Sequence, residues 1–355
     1  SGLNIQKFLE PSAGIGSFLQ SFYENFFFYL TAITSRLREL GAEVDFFNER
    51  PSDSVFTKGM IRVKSRFYQK KVNRYYEKLW QKVKDNKYNY FLLIKGESVP
   101  LFFLKRISDA NPDAKNIFYS YDAVKEYPKF LKLFAFFDQN FTFEPEDAAK
   151  YNLHFRPLFF LNEYKKQKQN VKPKFDLVFI GSAHTDRYLI GEKVKSLCTG
   201  LNLKTFFYYY APGKVAFVLK KIFDRNLMAF DMEKLSFKKL SHGEISEIYD
   251  EAFAVLDINK PFQNGLTMRT FEALAANRKL ITTNGDIRNY PFYNEQNIYI
   301  LNRNDLKIEQ HFFNTEFKKI DHDTMEKMSL DSWLHCLFFQ DQDAYWGIRE
   351  KDFNL

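Results

Sequence analysis

The segment Asp257–Asn284, DINKPFQNGLTMRTFEALAANRKLITTN, constrains this chain more than any other stretch. It spells a strand end, a loop, a short helix and a second strand. The loop is Pro261–Gly265, and the helix is expected from about Leu266 to Ala276. Asn277 is a left-handed stop, and Lys279–Thr283 is a β-branched strand. That order is half of a parallel α/β sheet, and such sheets take ligands off the C-terminal ends of their strands, where loops meet helix N-termini.

Arg269 and Glu272 lie three apart on the expected helix and share a face. A cation in the first turn sits at the positive end of the helix dipole, so Arg269 is disfavoured there unless an anion joins it. Two readings fit the spacing. One is a ligand with an anionic group beside Arg269 and hydroxyls beside Glu272, as a nucleoside diphosphate sugar has. The other is a surface Arg–Glu pair of little energetic weight.

With 355 residues there is room for two domains. Apolar residues at 45% and charged residues at 27% place the chain among globular proteins rather than disordered ones. The 41 Phe and 21 Tyr point to aromatic core filling and some exposed binding surface. No uninterrupted apolar window is long enough for a transmembrane helix, and no basic-then-apolar leader opens the sequence; Ser1-Gly2 reads as a cloning remnant. Cys198 and Cys336 are far apart and read as buried thiols of a reducing compartment. The six His are scattered without ligand spacing, so neither a metal nor another cofactor is expected.

The net charge of +8 is concentrated. Lys58–Lys87 holds eleven basic residues against Glu77 and Asp85, which accounts for the whole excess. Tyr68, Val72, Tyr75, Tyr76, Leu79 and Val83 recur there at helical spacing, so the segment reads as an amphipathic helix. Its basic faces are either simply solvated or attract an anionic membrane surface or a lipid-linked diphosphate acceptor. No recognised nucleic-acid module accompanies the patch, so nucleic acid is not expected as a partner.

The remaining elements alternate. Asn4–Leu9 is a poor strand followed by a possible glycine loop, Gly14–Phe18, so a first strand is expected to be missing or distorted. Phe22–Leu40 is a helix stopping at Gly41, and Glu43–Phe47 is a strand. Tyr90–Ile94 is a continuous apolar run of the buried parallel kind; Lys95–Ser98 and a helix from Pro100 follow. Asn116–Ser120 is the next strand. Asp122, just past its end, is placed either to act as a base on an acceptor hydroxyl or to cap a following helix. Phe134–Phe137 and Asn140–Phe143 read as short strands, and Glu144–Lys150 as a turn of helix. The polar, aperiodic NEYKKQKQNVKPK marks a crossover within residues 156–174. Phe175–Ile180 is then an apolar strand running into GSAHTDRY, with a helix from about Thr185. The turn at Gly181 and Ser182 offers backbone amides as a phosphate cradle, and His184 and Arg187 add donors. No GxGxxG is present, which argues against a dinucleotide site. Lys204–Tyr210 is an aromatic strand, Ser241–Asp250 a helix opened by a Ser–Glu capping box, and Phe253–Ile258 and Asn297–Leu301 are strands. Thr324–Phe339 reads as one amphipathic helix.

QNGLTMRTFEALAANRKLITTN resembles the donor-site segment of bacterial GT-B glycosyltransferases, nearest to the CgeB-like group of capsule and lipopolysaccharide synthesis proteins. PKFDLVFIGSAHTDRY, FYENFFFYLTAITSRLRELGAEVDFFNERP and FEPEDAAKYNLHFRPLF resemble the same group. The resemblance implies two Rossmann-like domains facing across a cleft, with a C-terminal helix crossing back. Residues 1–155 would form the acceptor domain, 156–174 the linker, 175–335 the nucleotide-sugar donor domain and 336–355 a tail. It implies a ribose-binding role for Glu272 and a diphosphate at the helix N-terminus, near Gln263, Asn264, Gly265, Leu266, Thr267 and Arg269. Many retaining relatives carry a glutamate where this chain has Asn264. The implied activity is sugar transfer from a nucleotide-sugar donor to a glycan or lipid-linked glycan at the bacterial surface, in the cytoplasm or at the inner face of its membrane. Rival readings are a non-catalytic scaffold or glycan-binding subunit, a nucleotide-sugar 2-epimerase, and a basic peripheral or RNA-binding protein.

Overall fold

The computed structural model describes residues 8–12, 20–49, 65–165, 172–223, 225–339 and 344–347. Ser1-Gly2, the Gly14–Phe18 loop, the start of the Lys58–Lys87 segment and the middle of the polar crossover lie outside them. The chain divides into two compact units, Ser1–Arg156 and Pro157–Leu355.

Unit 1 is built on a parallel sheet of β1 (Phe8–Ser12), β2 (Val44–Asn48), β3 (Tyr90–Ile94), β4 (Lys115–Ser120), β5 (Gln139–Thr142) and β6 (His154–Phe155), in the order β2-β1-β3-β4-β5-β6. Its helices are α1 (Gln20–Glu39), α2 (Ser65–Val83), α3 (Leu101–Ala110) and α4 (Pro145–Tyr151). The first strand is therefore present, against expectation. It pairs with β2 from Phe8–Val44 through Ser12–Asn48, and with β3 on its other side. Propensity misses it because FLEPS carries Glu and Pro; two-sided pairing outweighs that weakness. Phe134–Phe136 is a 3-10 turn rather than a strand. Its rings dictate this: Phe134 and Phe137 both pack on Phe118, with centroids 5.7 and 5.5 Å away, which a tight turn permits.

The basic helix α2 docks by its apolar stripe. Val72, Tyr76, Leu79 and Val83 are buried against α3, with the Tyr76 and Phe103 rings 4.9 Å apart. The Tyr76 hydroxyl donates to the Glu49 carbonyl at 2.9 Å. Lys70, Lys71, Arg74, Lys78 and Lys82 are left facing outward.

Unit 2 repeats the architecture with β7 (Phe175–Ser182), β8 (Thr205–Tyr210), β9 (Leu235–Ser236), β10 (Ala252–Asp257), β11 (Lys279–Thr282) and β12 (Ile298–Ile300). All are parallel, in the order β12-β11-β10-β7-β8-β9. Its helices are α5 (Arg187–Gly200), α6 (Lys214–Phe223), α7 (Arg225–Met228), α8 (His242–Asp250), α9 (Met268–Ala275), α10 (His322–Lys327) and α11 (Leu330–Phe339). The chain runs outward from β7 to β9, then returns to β10 and runs the other way. The switch point falls between the ends of β7 and β10, where sheets of this kind open a crevice. The segment expected to be one helix from Thr324 is split into α10 and α11. Phe160 donates its amide to the Met328 carbonyl and bridges to Ser329, drawing that backbone out of helical geometry. Trp333 of α11 is fully buried, its ring 5.0 Å from that of Phe159. Among the described residues, no helix is long and apolar enough to cross a membrane.

Candidate functional site

The crevice end of unit 2 is organised by a residue the sequence reading did not single out. Asp257 closes the apolar strand β10 and is fully buried. Its Oδ1 accepts from Arg269 Nη1 at 2.9 Å, and its Oδ2 accepts from the hydroxyls of Thr267 at 2.9 Å and Thr270 at 3.4 Å. Arg269 Nη2 donates onward to the Ile180 carbonyl at 2.5 Å. The arginine thus ties the start of α9 to β7 across the switch point. Burial lowers the Arg269 pKa, but Asp257, Tyr249 and Glu272 together outweigh it and hold the guanidinium charged. The anion needed by a cation in the first turn of this helix is supplied from within, by Asp257. Thr267 occupies the N-cap position yet turns its hydroxyl to Asp257, so the first amides of α9 take no side-chain cap from it.

The turn after β7 forms the second wall. A Cβ at Gly181 would come within 2.7 Å of the Phe179 ring, so a larger residue there would have to displace that ring. Ser182 and His184 are buried, the His184 amide donates to the Ser182 carbonyl at 3.0 Å, and Thr185 adopts a left-handed φ of 53°. The following helix starts at Arg187, two residues later than expected. Arg187 is buried; its Nε donates to the Ile258 carbonyl at 2.8 Å and its Nη1 lies 3.0 Å from His184 Nε2. Burial first, then the charge of Arg269, push its pKa down to about 9.

A third arginine completes the wall, and the sequence reading missed it. Arg303, just beyond β12, meets Asp186 Oδ2 at 2.5 Å. It also donates to both oxygens of Asn259, with Oδ1 at 2.9 Å, and to the Thr283 hydroxyl at 3.1 Å. Around this turn three guanidiniums, Arg187, Arg269 and Arg303, face two carboxylates, Asp186 and Asp257.

The loop before α9 is fixed largely by its own polar groups. Asn259 Nδ2 donates to the Gln263 carbonyl at 2.7 Å, and Gln263 Nε2 to the Gly265 carbonyl at 2.8 Å. Asn284 Nδ2 donates to the Asn264 carbonyl at 2.9 Å. Leu266 is a core residue. Glu272, next along the face of Arg269, is buried; its Oε1 lies 3.9 Å from His242 Nδ1, which is itself 2.7 Å from the Tyr164 hydroxyl. Burial, helped by Lys239, pushes His242 down to about 4, so it is neutral at pH 7. The structure therefore gathers Gly181, Ser182, His184, Arg187, Gln263, Asn264, Gly265, Thr267, Arg269 and Glu272 at the C-terminal edge of one sheet. The edge is cationic at the β7 turn and carries a carboxylate further along α9.

Asp122 belongs to unit 1, beyond the end of β4. No helix starts on it; the next helical turn is a 3-10 segment from Pro128. Its buried carboxylate lies 2.6 Å from the Lys95 ammonium, which is also 3.0 Å from Glu97. Lys95 and Gly96 have left-handed φ values of 80° and 81°, which turn the chain sharply after β3.

No protein-family model and no curated protein sequence matches the chain. Solved structures do. A UDP-forming α,α-trehalose-phosphate synthase from Burkholderia xenovorans, in complex with glucose-6-phosphate, superposes with a TM-score of 0.51 at 12% identity, over 78% of each chain. A UDP-forming α,α-trehalose-phosphate synthase from Burkholderia vietnamiensis gives 0.49 at 10% identity, over 97% of this chain and 98% of its own. The Anabaena HepE protein, in complex with UDP and glucose, gives 0.48 at 8% identity, over 96% and 94%. The fold is that of GT-B glycosyltransferases, with two Rossmann-like α/β units.

Proposed function

We propose that this chain is a glycosyltransferase that takes a sugar from a nucleotide-sugar donor, and that it belongs with the CgeB-like capsule and lipopolysaccharide proteins. The observation that carries the proposal is the polarised edge of unit 2, with three buried or half-buried arginines at the β7–α5 turn and Glu272 further along α9. A nucleoside diphosphate has the matching polarity: two phosphates for the cationic turn and ribose hydroxyls for the carboxylate.

In this reading Arg187 and the start of α9, which takes no side-chain cap from Thr267, stabilise charge growing on the leaving diphosphate. Arg269 adds its charge from the frame that Asp257 holds. Glu272 accepts from the ribose. Asp122, in unit 1, is the candidate base for an acceptor hydroxyl. The acceptor is a surface glycan, free or lipid-linked, and the outward basic face of α2 attracts the enzyme to an anionic membrane at its cytoplasmic side. A panel of nucleotide sugars incubated with the chain, with and without glycan acceptors, tests this. Nucleotide release that depends on acceptor supports transfer. Conversion of the donor sugar without acceptor points to an epimerase, and no turnover with any donor refutes catalysis.

A further inference from the structure

Two amphipathic helices of this chain use their apolar faces in opposite ways. The stripe of α2 is spent on the core of unit 1. The hairpin of α6 and α7 in unit 2 has one inward and one outward apolar face. Inward, Phe217 and Leu227 are buried; Phe217 packs edge-on to Phe230 at 5.2 Å, and Phe230 stacks on Tyr188 at 4.0 Å. Lys221 donates to the Phe230 carbonyl at 2.5 Å and closes the hairpin from within. Outward, Val215 is 75% exposed, Val218 41% and Ile222 60%, while Met228 on α7 is 59% exposed. Val215, Val218 and Ile222 fall at i, i+3 and i+7, a single stripe opposite Phe217.

The surrounding charge decides what covers this stripe. Residues 214–239 carry seven basic residues against three acidic ones, and Lys214 beside the stripe is exposed. An aliphatic strip beside an exposed lysine, on a segment of net positive charge, fits a helix lying in a membrane interface. Its side chains enter the headgroup–acyl boundary and its cations meet lipid phosphates. We propose that the outward face of α6, with Met228, docks this chain on an anionic phospholipid surface. This surface is a different element from α2, whose described apolar stripe is buried in unit 1. The proposal does not depend on the nucleotide reading, and its test uses no nucleotide.

The test is flotation of the full chain with vesicles of phosphatidylcholine, alone or mixed with phosphatidylglycerol. The wild type is expected to float with the mixed vesicles and much less with the neutral ones. A variant combining Val215→Ser, Val218→Ser, Ile222→Ser and Met228→Ser changes only exposed side chains, so its melting profile should match the wild type. Its partition coefficient is expected to fall at least about tenfold, since each aliphatic side chain removed from water contributes strongly. Fluorescence of Ile222→Trp should be quenched by brominated lipid. The proposal is overturned if the quadruple variant floats like the wild type, or if Ile222→Trp escapes quenching. It is equally overturned if the wild type sediments as a dimer that the quadruple variant dissolves, because a second copy would then cover the stripe.

Discussion

Replacing Asp257 by Asn tests the frame of the site. The substitution keeps the volume and removes one charge. It leaves the guanidinium of Arg269 in place with its carbonyl partner Ile180 but without the carboxylate 2.9 Å away. Breaking one side of a buried ion pair costs about 3–5 kcal/mol, because the partner stays buried and uncompensated. The hydroxyls of Thr267 and Thr270 can still donate to the amide oxygen, so they add little to the loss. Arg269→Met in the Asp257→Asn background removes the stranded cation and should recover most of it, a coupling of about 2 kcal/mol or more. The readout must belong to unit 2, since a two-unit chain need not unfold in one step. Trp80→Phe leaves Trp333 and Trp346, both buried in unit 2, as the only tryptophans. Urea unfolding followed by their emission then reports on unit 2. A cost below about 1 kcal/mol for Asp257→Asn, with no recovery in the double variant, would refute the view that this pair organises the switch point.

Other consequences are as specific. His242 is held near 4 in the fold against an ordinary 6.5, so between those values the unfolded chain binds more protons and stability rises with pH. His242→Gln should remove that slope, worth about 3 kcal/mol across the window, and flatten unit 2 stability in urea titrations between pH 4 and 6.5. Asn277 ends α9 with a left-handed φ of 48°, so Asn277→Val should lower stability by about 1–2 kcal/mol while Asn277→Gly leaves it nearly unchanged. Arg187→Gln removes a buried cation already pushed down to about 9; it should weaken nucleotide binding at least about tenfold without lowering the melting temperature.

What could be read in the chain beforehand was local. Ser241 and Glu244 form the capping box their spacing announces: the Glu244 amide donates to the Ser241 hydroxyl at 3.2 Å, and the Ser241 amide to Glu244 Oε2 at 2.8 Å. The strand–loop–helix–strand unit around Arg269 is present with its left-handed Asn277, because each of its signals acts over a few residues. The hub of the site was less legible. Asp257 is a carboxylate ending the apolar run AFAVLD, and a charge that closes a buried strand is the signal the sequence holds for it. Arg303 sits 44 positions from Asn259 in a loop without periodicity, so only tertiary pairing reveals it. The first strand was hidden for a related reason, since the sheet rather than its own residues stabilises it.

The most direct test of the account is calorimetric titration of UDP, GDP, CMP and dTDP into the wild type and into Glu272→Ala. One nucleotide is expected to bind with micromolar affinity and the variant to weaken it by more than about tenfold, since Glu272 accepts hydrogen bonds that alanine cannot replace. Binding by none of the four, or equal binding by wild type and variant, would contradict the placement of a donor site at the end of α9.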